Sequence, residues 1–317
     1  MTIAAIYEPV QDGLSRVEEK LSEVIRNAPV DMKEQLSHAL KDGGKRIRPT
    51  LTLLAGKFYR YNLDLLVPMA ASLELLHIAT LIHDDTVDNS HLRHGKMSVN
   101  RAWGDSQAVL LGDYVFAASA GMTAETGNIR VIKLVAQTLM TMCSGEIGQS
   151  LKPFNDSREY YLRMIGNKTA FLFSTSTESG AVLSEAPGEV VQSLRSYGYN
   201  LGIAFQIVDD ILDFTGQKET MGKPVASDLS RGIFTLPVIL LLERREGERI
   251  KRILEEDKKR GTDLLMEMVH NSSVLEECYE VVRSFCSQAC TALEGVPHNS
   301  IYDSLINLAN YAAQRKS

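Results

Sequence analysis

Apolar residues in this 317-residue chain recur mostly at three- and four-residue spacing, between scattered glycines and nine prolines. That is the pattern of helices with one buried face. It predicts an amphipathic helix over 11–27 (QDGLSRVEEKLSEVIRN), a shorter one over 33–41, and one that starts near Pro49 and runs through LTLLAGKFYR. Two segments differ: PMAASLELLHIATLIHDDTVD (68–88) and SYGYNLGIAFQIVDDILDF (196–214) are apolar on nearly all sides, as helices at the centre of a bundle are. Further helices are expected over 107–125, 129–151, 157–184, 236–257, 260–270, 273–293 and 300–316, and no strand is required. The polar, glycine-bearing stretch 215–235 reads as a mobile loop and a candidate lid. No linker rich in Pro, Gly or Ser divides the chain, so the expectation is an all-α, single-domain helical bundle over 1–317.

Charge narrows the possible partners. With 34 Lys+Arg against 40 Asp+Glu the net charge is -6, which offers no basic footprint for nucleic acid. Any polyanionic ligand must be met by local charge. The four cysteines, Cys143, Cys278, Cys286 and Cys290, include no CxxC pair, which fits a reducing, cytoplasmic compartment. The first twenty residues turn polar and acidic early, and no run of 18 apolar residues free of charge occurs. Neither a signal peptide nor stable membrane insertion is expected.

The chemistry lies in the two centrally placed helices. Asp84, Asp85 and Asp88 form a DDxxD pattern, and 125 residues later Asp209, Asp210 and Asp213 repeat it. Residues four apart on a helix are separated by about 40°. Asp84 with Asp88, and Asp209 with Asp213, therefore each present two carboxylates to one point. By composition, a matched pair of such motifs arises on the order of once in several hundred chains of this length. Unpaired carboxylates are costly beside apolar runs such as LLHIATLIH and GIAFQIV. Divalent cations offset that cost, and Mg²⁺ suits a site in which a few carboxylates share an ion with substrate phosphates. Basic residues collect nearby: Lys45, Arg46 and Arg48 in DGGKRIRP, Arg93 after the first motif, and Lys168 within the apolar MIGNKTAFLF. An anionic chain with its cations beside its carboxylates suggests a metal-bridged diphosphate.

With GGKRIRP, LLHIATLIHDDTVDNSHLRHG, GDYVFA, SGEIGQ, Lys168-Thr169, FQIVDDILDF, GKPVASDL and TLPVI in order along nearly its whole length, the chain resembles the trans-isoprenyl diphosphate synthases. The resemblance implies the isoprenoid synthase bundle with its two DDxxD motifs facing, and head-to-tail prenyl transfer from an allylic diphosphate to isopentenyl diphosphate. It also implies three Mg²⁺ ions on Asp84, Asp88 and Asp209, with Asp85, Asp210 and Asp213 in the same motifs. Arg93 and Lys168 would grip the allylic diphosphate, and Thr169 and Gln206 would face the developing cation. Isopentenyl diphosphate would lie against Lys45, Arg48 and His77, and the helix geometry agrees for His77, which is about 20° from Asp84 in projection. A homodimer is implied as well.

Two positions depart from the family pattern: His94 stands where a second Arg is usual in isopentenyl diphosphate binding, and Ile233 where a Lys is common. The small Ala79 and Thr80 before the first motif, and the small run Ala117 to Gly121 with Phe116 as a partial floor, imply a product longer than farnesyl diphosphate. Competing readings are a non-catalytic partner subunit and a class I terpene cyclase, whose second motif is typically of an Asn/Asp–Ser/Thr–Glu type. A metal-storage bundle would want inward Glu and ExxH pairs, which are not evident.

Overall fold

The computed structural model describes residues 3–41, 44–93, 95–215, 226–244 and 247–315. His94 and residues 216–225 of the candidate lid lie outside the described residues. The chain opens with α1 (Ile3–Tyr7), α2 (Gln11–Asn27), α3 (Lys33–Leu40) and α4 (Ile47–Gly56). Next come α5 (Leu63–Val87), α6 (Val99–Trp103), α7 (Asp105–Glu125) and α8 (Ile129–Leu151). The middle of the chain holds α9 (Arg158–Ile165), a π-helical turn (Gly166–Ala170), α10 (Phe171–Leu183) and α11 (Gly188–Thr215). It closes with α12 (Ser227–Arg231), α13 (Leu236–Leu242), α14 (Gly247–Glu256), α15 (Lys258–His270), α16 (Val274–Ala292) and α17 (Ser300–Gln314).

The two helices expected at the centre are there, and longer than their apolar runs suggest. Helix α5 begins at Leu63 rather than Pro68, because the Asn62 side chain caps it by accepting the Asp64 N–H at 3.0 Å. Pro68, the sixth residue of the helix, gives up one backbone bond within it. Helix α11 begins at Gly188, eight residues before the apolar stretch. The expected helix over 236–257 is interrupted between Leu242 and Gly247, and a two-residue antiparallel pair, Leu92–Arg93 with Lys96–Met97, supplies strands where none was required.

Helix α5 packs along α4 and α7, and α11 along α10 and α16. One connected apolar cluster runs from Ile6 to Ala312. Among the described residues α5 alone is long and apolar enough to cross a membrane, but 78% of that window is buried inside the bundle, so core position accounts for its composition. Its contact with α7 includes a buried polar knot: Ser72 Oγ donates to the Ser119 carbonyl at 2.8 Å, Ser119 Oγ returns a bond to the Ser72 carbonyl at 2.8 Å, and Ser72 and Thr123 hydroxyls meet at 2.5 Å. Reciprocal bonding leaves no desolvated hydroxyl unpaired. Where α10 crosses α4, a Cβ on Gly180 would lie 2.2 Å from the Thr52 carbonyl oxygen. Gly180→Ala is therefore expected to force the helices apart at a cost of about 1–3 kcal/mol, seen as a lower urea midpoint with unchanged slope.

Candidate active site

Both aspartate motifs sit at the C-terminal ends of their helices. Asp84 and Asp85 fall in the last turn of α5 and Asp88 caps it, with its N–H on the Asp84 carbonyl at 2.8 Å. Asp209, Asp210 and Asp213 occupy the last turns of α11. The negative end of a helix dipole disfavours carboxylates, so neither cluster is there for helix stability. Cations from other segments offset them. The Arg93 guanidinium forks onto Asp85 at 2.5 and 3.0 Å, Arg231 bonds Asp88 and also Asp228 at 2.6 Å, and Arg315 reaches Asp209 at 2.7 Å.

Lys168 stands on the π-helical turn, where the Phe171 N–H bonds back five residues to Gly166. Such turns interrupt α-helices mostly at functional positions. The Lys168 ammonium is bonded by Glu146 of α8. Burial alone would lower its pKa, but Asp84, Glu146 and Asp88 reverse that and raise it, so the lysine is held fully charged beside the first motif. Burial pushes the Asp84 carboxyl up to about 6, Lys168 and Arg93 opposing and Glu146 and Asp88 adding to the rise. From the neighbouring Thr169 a chain of bonds leads to the second motif: Thr169 Oγ1 donates to Gln206 Oε1 at 2.6 Å, and Gln206 Nε2 donates to Asp210 Oδ1 at 2.9 Å. Tyr161 takes the other Asp210 oxygen at 2.6 Å. Because Thr169 donates its proton to Gln206, its lone pairs are left free. Burial, followed by Asp228, raises the Asp210 carboxyl well above its usual range.

Lys168, Gln206, Asp210, Asp228, Arg231 and Ile233 line one cleft, with about 670 Å³ of empty space. A second cleft, about 600 Å³, lies across α5 and is bordered by Gly44, Arg46, Glu74, His77, Asp85 and Arg93. Arg46 is committed to the fold there, bonded to Glu18 at 2.6 Å and Glu74 at 2.9 Å. Arg48 is packed over the Phe173 ring, its guanidinium carbon 4.9 Å from the centroid, and its Nε is buried with no hydrogen-bond partner. Burial depresses its pKa to about 10, against the pull of Glu74 and Asp209. Asp209 is raised by burial, opposed by Arg315, Arg48 and Lys45, so Lys45, Arg48 and the second motif share an electrostatic neighbourhood.

The sequence-expected residues thus fall into two groups: Thr169, Gln206 and Asp210 joined in one bonded network with Lys168 adjacent on Glu146, and His77 and Arg93 on the second cleft. Phe116 packs on His83 at 5.2 Å between ring centroids, level with the first motif. Asp213 is buried, and its carboxylate receives the Asp228 N–H at 3.4 Å. Sequence reasoning missed Glu146, Tyr161, Arg231 and Arg315. Glu146 could have been found as the one acid in SGEIGQ; Arg315 had no signal beyond a basic end.

Among the described residues no three His, Cys, Asp or Glu side chains already form a metal-holding group. The donors nonetheless fit Mg²⁺. They are all carboxylate oxygens, the counter-cations on Asp85, Asp88 and Asp209 are exchangeable for metal charge, and Mg²⁺ completes its shell with water and phosphate.

The profile of the polyprenyl synthetase family matches residues 30–271. The heptaprenyl diphosphate synthase component 2 of Geobacillus stearothermophilus is 36% identical, over 99% of this chain and 99% of that one. Octaprenyl diphosphate synthase of Escherichia coli is 32% identical, with 99% of each chain covered. A polyprenyl synthase from Caulobacter crescentus, solved with calcium and isoprenyl diphosphate, superposes with a TM-score of 0.92 at 30% identity, covering 100% of this chain and 98% of that one.

Proposed function

Since this chain belongs to the polyprenyl synthetase family, we propose that it condenses isopentenyl diphosphate with an allylic diphosphate, in a Mg²⁺-dependent reaction, to a trans-polyprenyl diphosphate longer than farnesyl. It is a prenyltransferase. The observation that carries the site assignment is the bonded path from Thr169 through Gln206 to Asp210, next to Lys168, which is kept charged by Asp84 and lines the same cleft. The heptaprenyl and octaprenyl products named for two relatives support the long-chain reading.

Asp84, Asp88 and Asp209 would hold the metal, with Asp85, Asp210 and Asp213 orienting them. Bound Mg²⁺ would supply positive charge to the leaving diphosphate oxygens. Lys168 and Arg93 add fixed charge at the same place, so the allylic C–O bond breaks with its electron pair leaving on the diphosphate. The Thr169 lone pairs face the electron-poor carbon. The double bond of isopentenyl diphosphate, held by His77 in the second cleft and by the nearby Lys45 and Arg48, then forms the new C–C bond. The proton lost from the adduct passes to diphosphate. The test is incubation with isopentenyl diphosphate and dimethylallyl, geranyl or farnesyl diphosphate, with and without Mg²⁺. A Mg²⁺-dependent ladder with a defined end is expected, and no elongation from folded protein would favour the partner-subunit reading.

We further propose a cytoplasmic protein, supported by free cysteines at Cys143, Cys278, Cys286 and Cys290. We also propose a homodimer through α7 and α8, where Leu110, Ile129, Met140, Ile147 and Leu151 are 56–73% exposed. The Geobacillus relative is by name one component of a synthase, so a different chain on this face is the alternative. Light scattering on the purified protein decides: twice the chain mass supports the homodimer, and a monomer favours a second component.

A further inference from the structure

We propose that Arg231 is the third cation for the allylic diphosphate, held on Asp88 until metal takes that carboxylate; this rests on the prenyl-transfer reading above. Three observations lead there. First, the cleft that holds Lys168 also holds Ile233, an apolar side chain among charged ones, and Arg231 two residues before it. The leaving diphosphate carries more charge than Lys168 and Arg93 offset, and Arg231, on the same cleft as Lys168 and bonded to the first motif's Asp88, is placed to supply the rest.

Second, Arg231 is fixed by its own segment. Helix α12 begins where the Ala226 N–H bonds the Asp213 carbonyl at 2.9 Å, and the Asp228 N–H turns to the Asp213 carboxylate at 3.4 Å. It ends at Gly232, whose φ of 85° and carbonyl bond from the Phe154 N–H at 2.7 Å set the direction of the chain. A Cβ on Gly232 would meet the Phe154 ring at 2.8 Å, so this anchor is built for glycine. The last residue of a segment anchored on the second motif therefore reaches the first motif.

Third, the guanidinium bridges Asp88 and Asp228 while its side chain stays 32% exposed toward the cleft. Once metal charge neutralises Asp88, one arm of the fork is released, and the nearest anion is the diphosphate. Arginine suits this exchange because its planar donors pair equally well with carboxylate and phosphate.

The inference gives Arg231→Gln two opposite effects. Mn²⁺ alone, followed by paramagnetic resonance, should bind several-fold more tightly because its competitor on Asp88 is gone. Inorganic diphosphate with Mg²⁺, followed by calorimetry, should bind roughly 10–100-fold more weakly, as expected for a lost charge-assisted contact. The KM for the allylic substrate should rise in step and that for isopentenyl diphosphate should stay within about twofold. Ile233→Lys added to Arg231→Gln should restore diphosphate binding. Unchanged diphosphate affinity in Arg231→Gln would overturn the inference, leaving Arg231 as an anchor of its segment. If Arg231→Gln lowers the unfolding temperature, Arg231→Lys decides instead: charge kept at the site should keep diphosphate affinity within a few-fold, and a loss as large as that of Gln would refute charge delivery. Failure of the wild type to elongate any primer would instead remove the prenyl-transfer reading itself.

Discussion

Asp84→Asn should abolish turnover while making the protein harder to unfold. The Asp84 carboxyl is pushed from 3.8 to about 6, chiefly by burial, with Glu146 and Asp88 adding to the rise against Lys168 and Arg93. A folded state that prefers the protonated acid carries a penalty once that acid is ionised. After allowance for partial exposure, the penalty is on the order of 1–3 kcal/mol at neutral pH. Asparagine removes it while keeping size and polarity. The penalty exists only where Asp84 is ionised in the fold, so the advantage of Asn should be full above about pH 6 and vanish below about pH 4. Activity moves the other way: an amide is a poor Mg²⁺ ligand, and loss of charge stabilisation at a leaving diphosphate is expected to cost about 10³-fold or more in kcat. Thermal unfolding at pH 7 and pH 4, with single-turnover rates, checks both. A destabilised Asn variant would show that Asp84 serves the fold, and a near-normal rate would remove it from the metal site.

Thr80→Phe should shorten the product by several isoprene units. Thr80 precedes Asp84 by one helical turn on nearly the same face, it is only partly buried, and its hydroxyl is already satisfied by the His77 carbonyl at 2.7 Å. A ring can be placed there with little loss of packing, across the path by which a growing chain leaves the metal site. Ala79 is fully buried, so Phe at that position should shorten the product too but at an added cost of about 1–3 kcal/mol from overpacking. Mass analysis of dephosphorylated products reads the end point. An unchanged ladder from a folded Thr80→Phe enzyme would place the path on another face of α5.

Helices with an uninterrupted amphipathic stripe were legible residue by residue: 11–27 and 129–151 match α2 and α8 at both ends. For α8 the Asn128 cap, accepting from the Arg130 and Val131 N–H groups at 3.0 and 3.2 Å, explains the sharp start. The first turn of α5 was missed because Pro68 reads as a helix start, whereas Asn62 is the true cap. In the site, the six aspartates and Lys168 were visible because charge set into apolar runs is expensive and therefore conspicuous. Their partners were not. Arg315 and Asp209 are 106 residues apart, Glu146 and Lys168 lie on different helices, and Arg231 ends a five-residue helix inside what read as a loop. Local periodicity carries no information about such pairings, which exist only once tertiary packing has formed.

The π-helical turn at Gly166–Ala170 gives the chain a genetic vulnerability. It holds one residue more than regular helix would use, so deleting a single codon, Asn167 for instance, would restore ordinary α-helical bonding through this stretch. The same deletion would rotate the segment before it by about 100° relative to α10 and disturb the relation of Lys168 and Thr169 to Glu146 and Gln206. Regular bonding favours that loss, while the chemistry and the packing of the turn on α8 and α11 resist it, so a lineage of this chain that gave up catalysis to serve as a scaffold should be freer to shed the extra residue. The length of this turn would then distinguish working enzymes from silent copies before any assay is run.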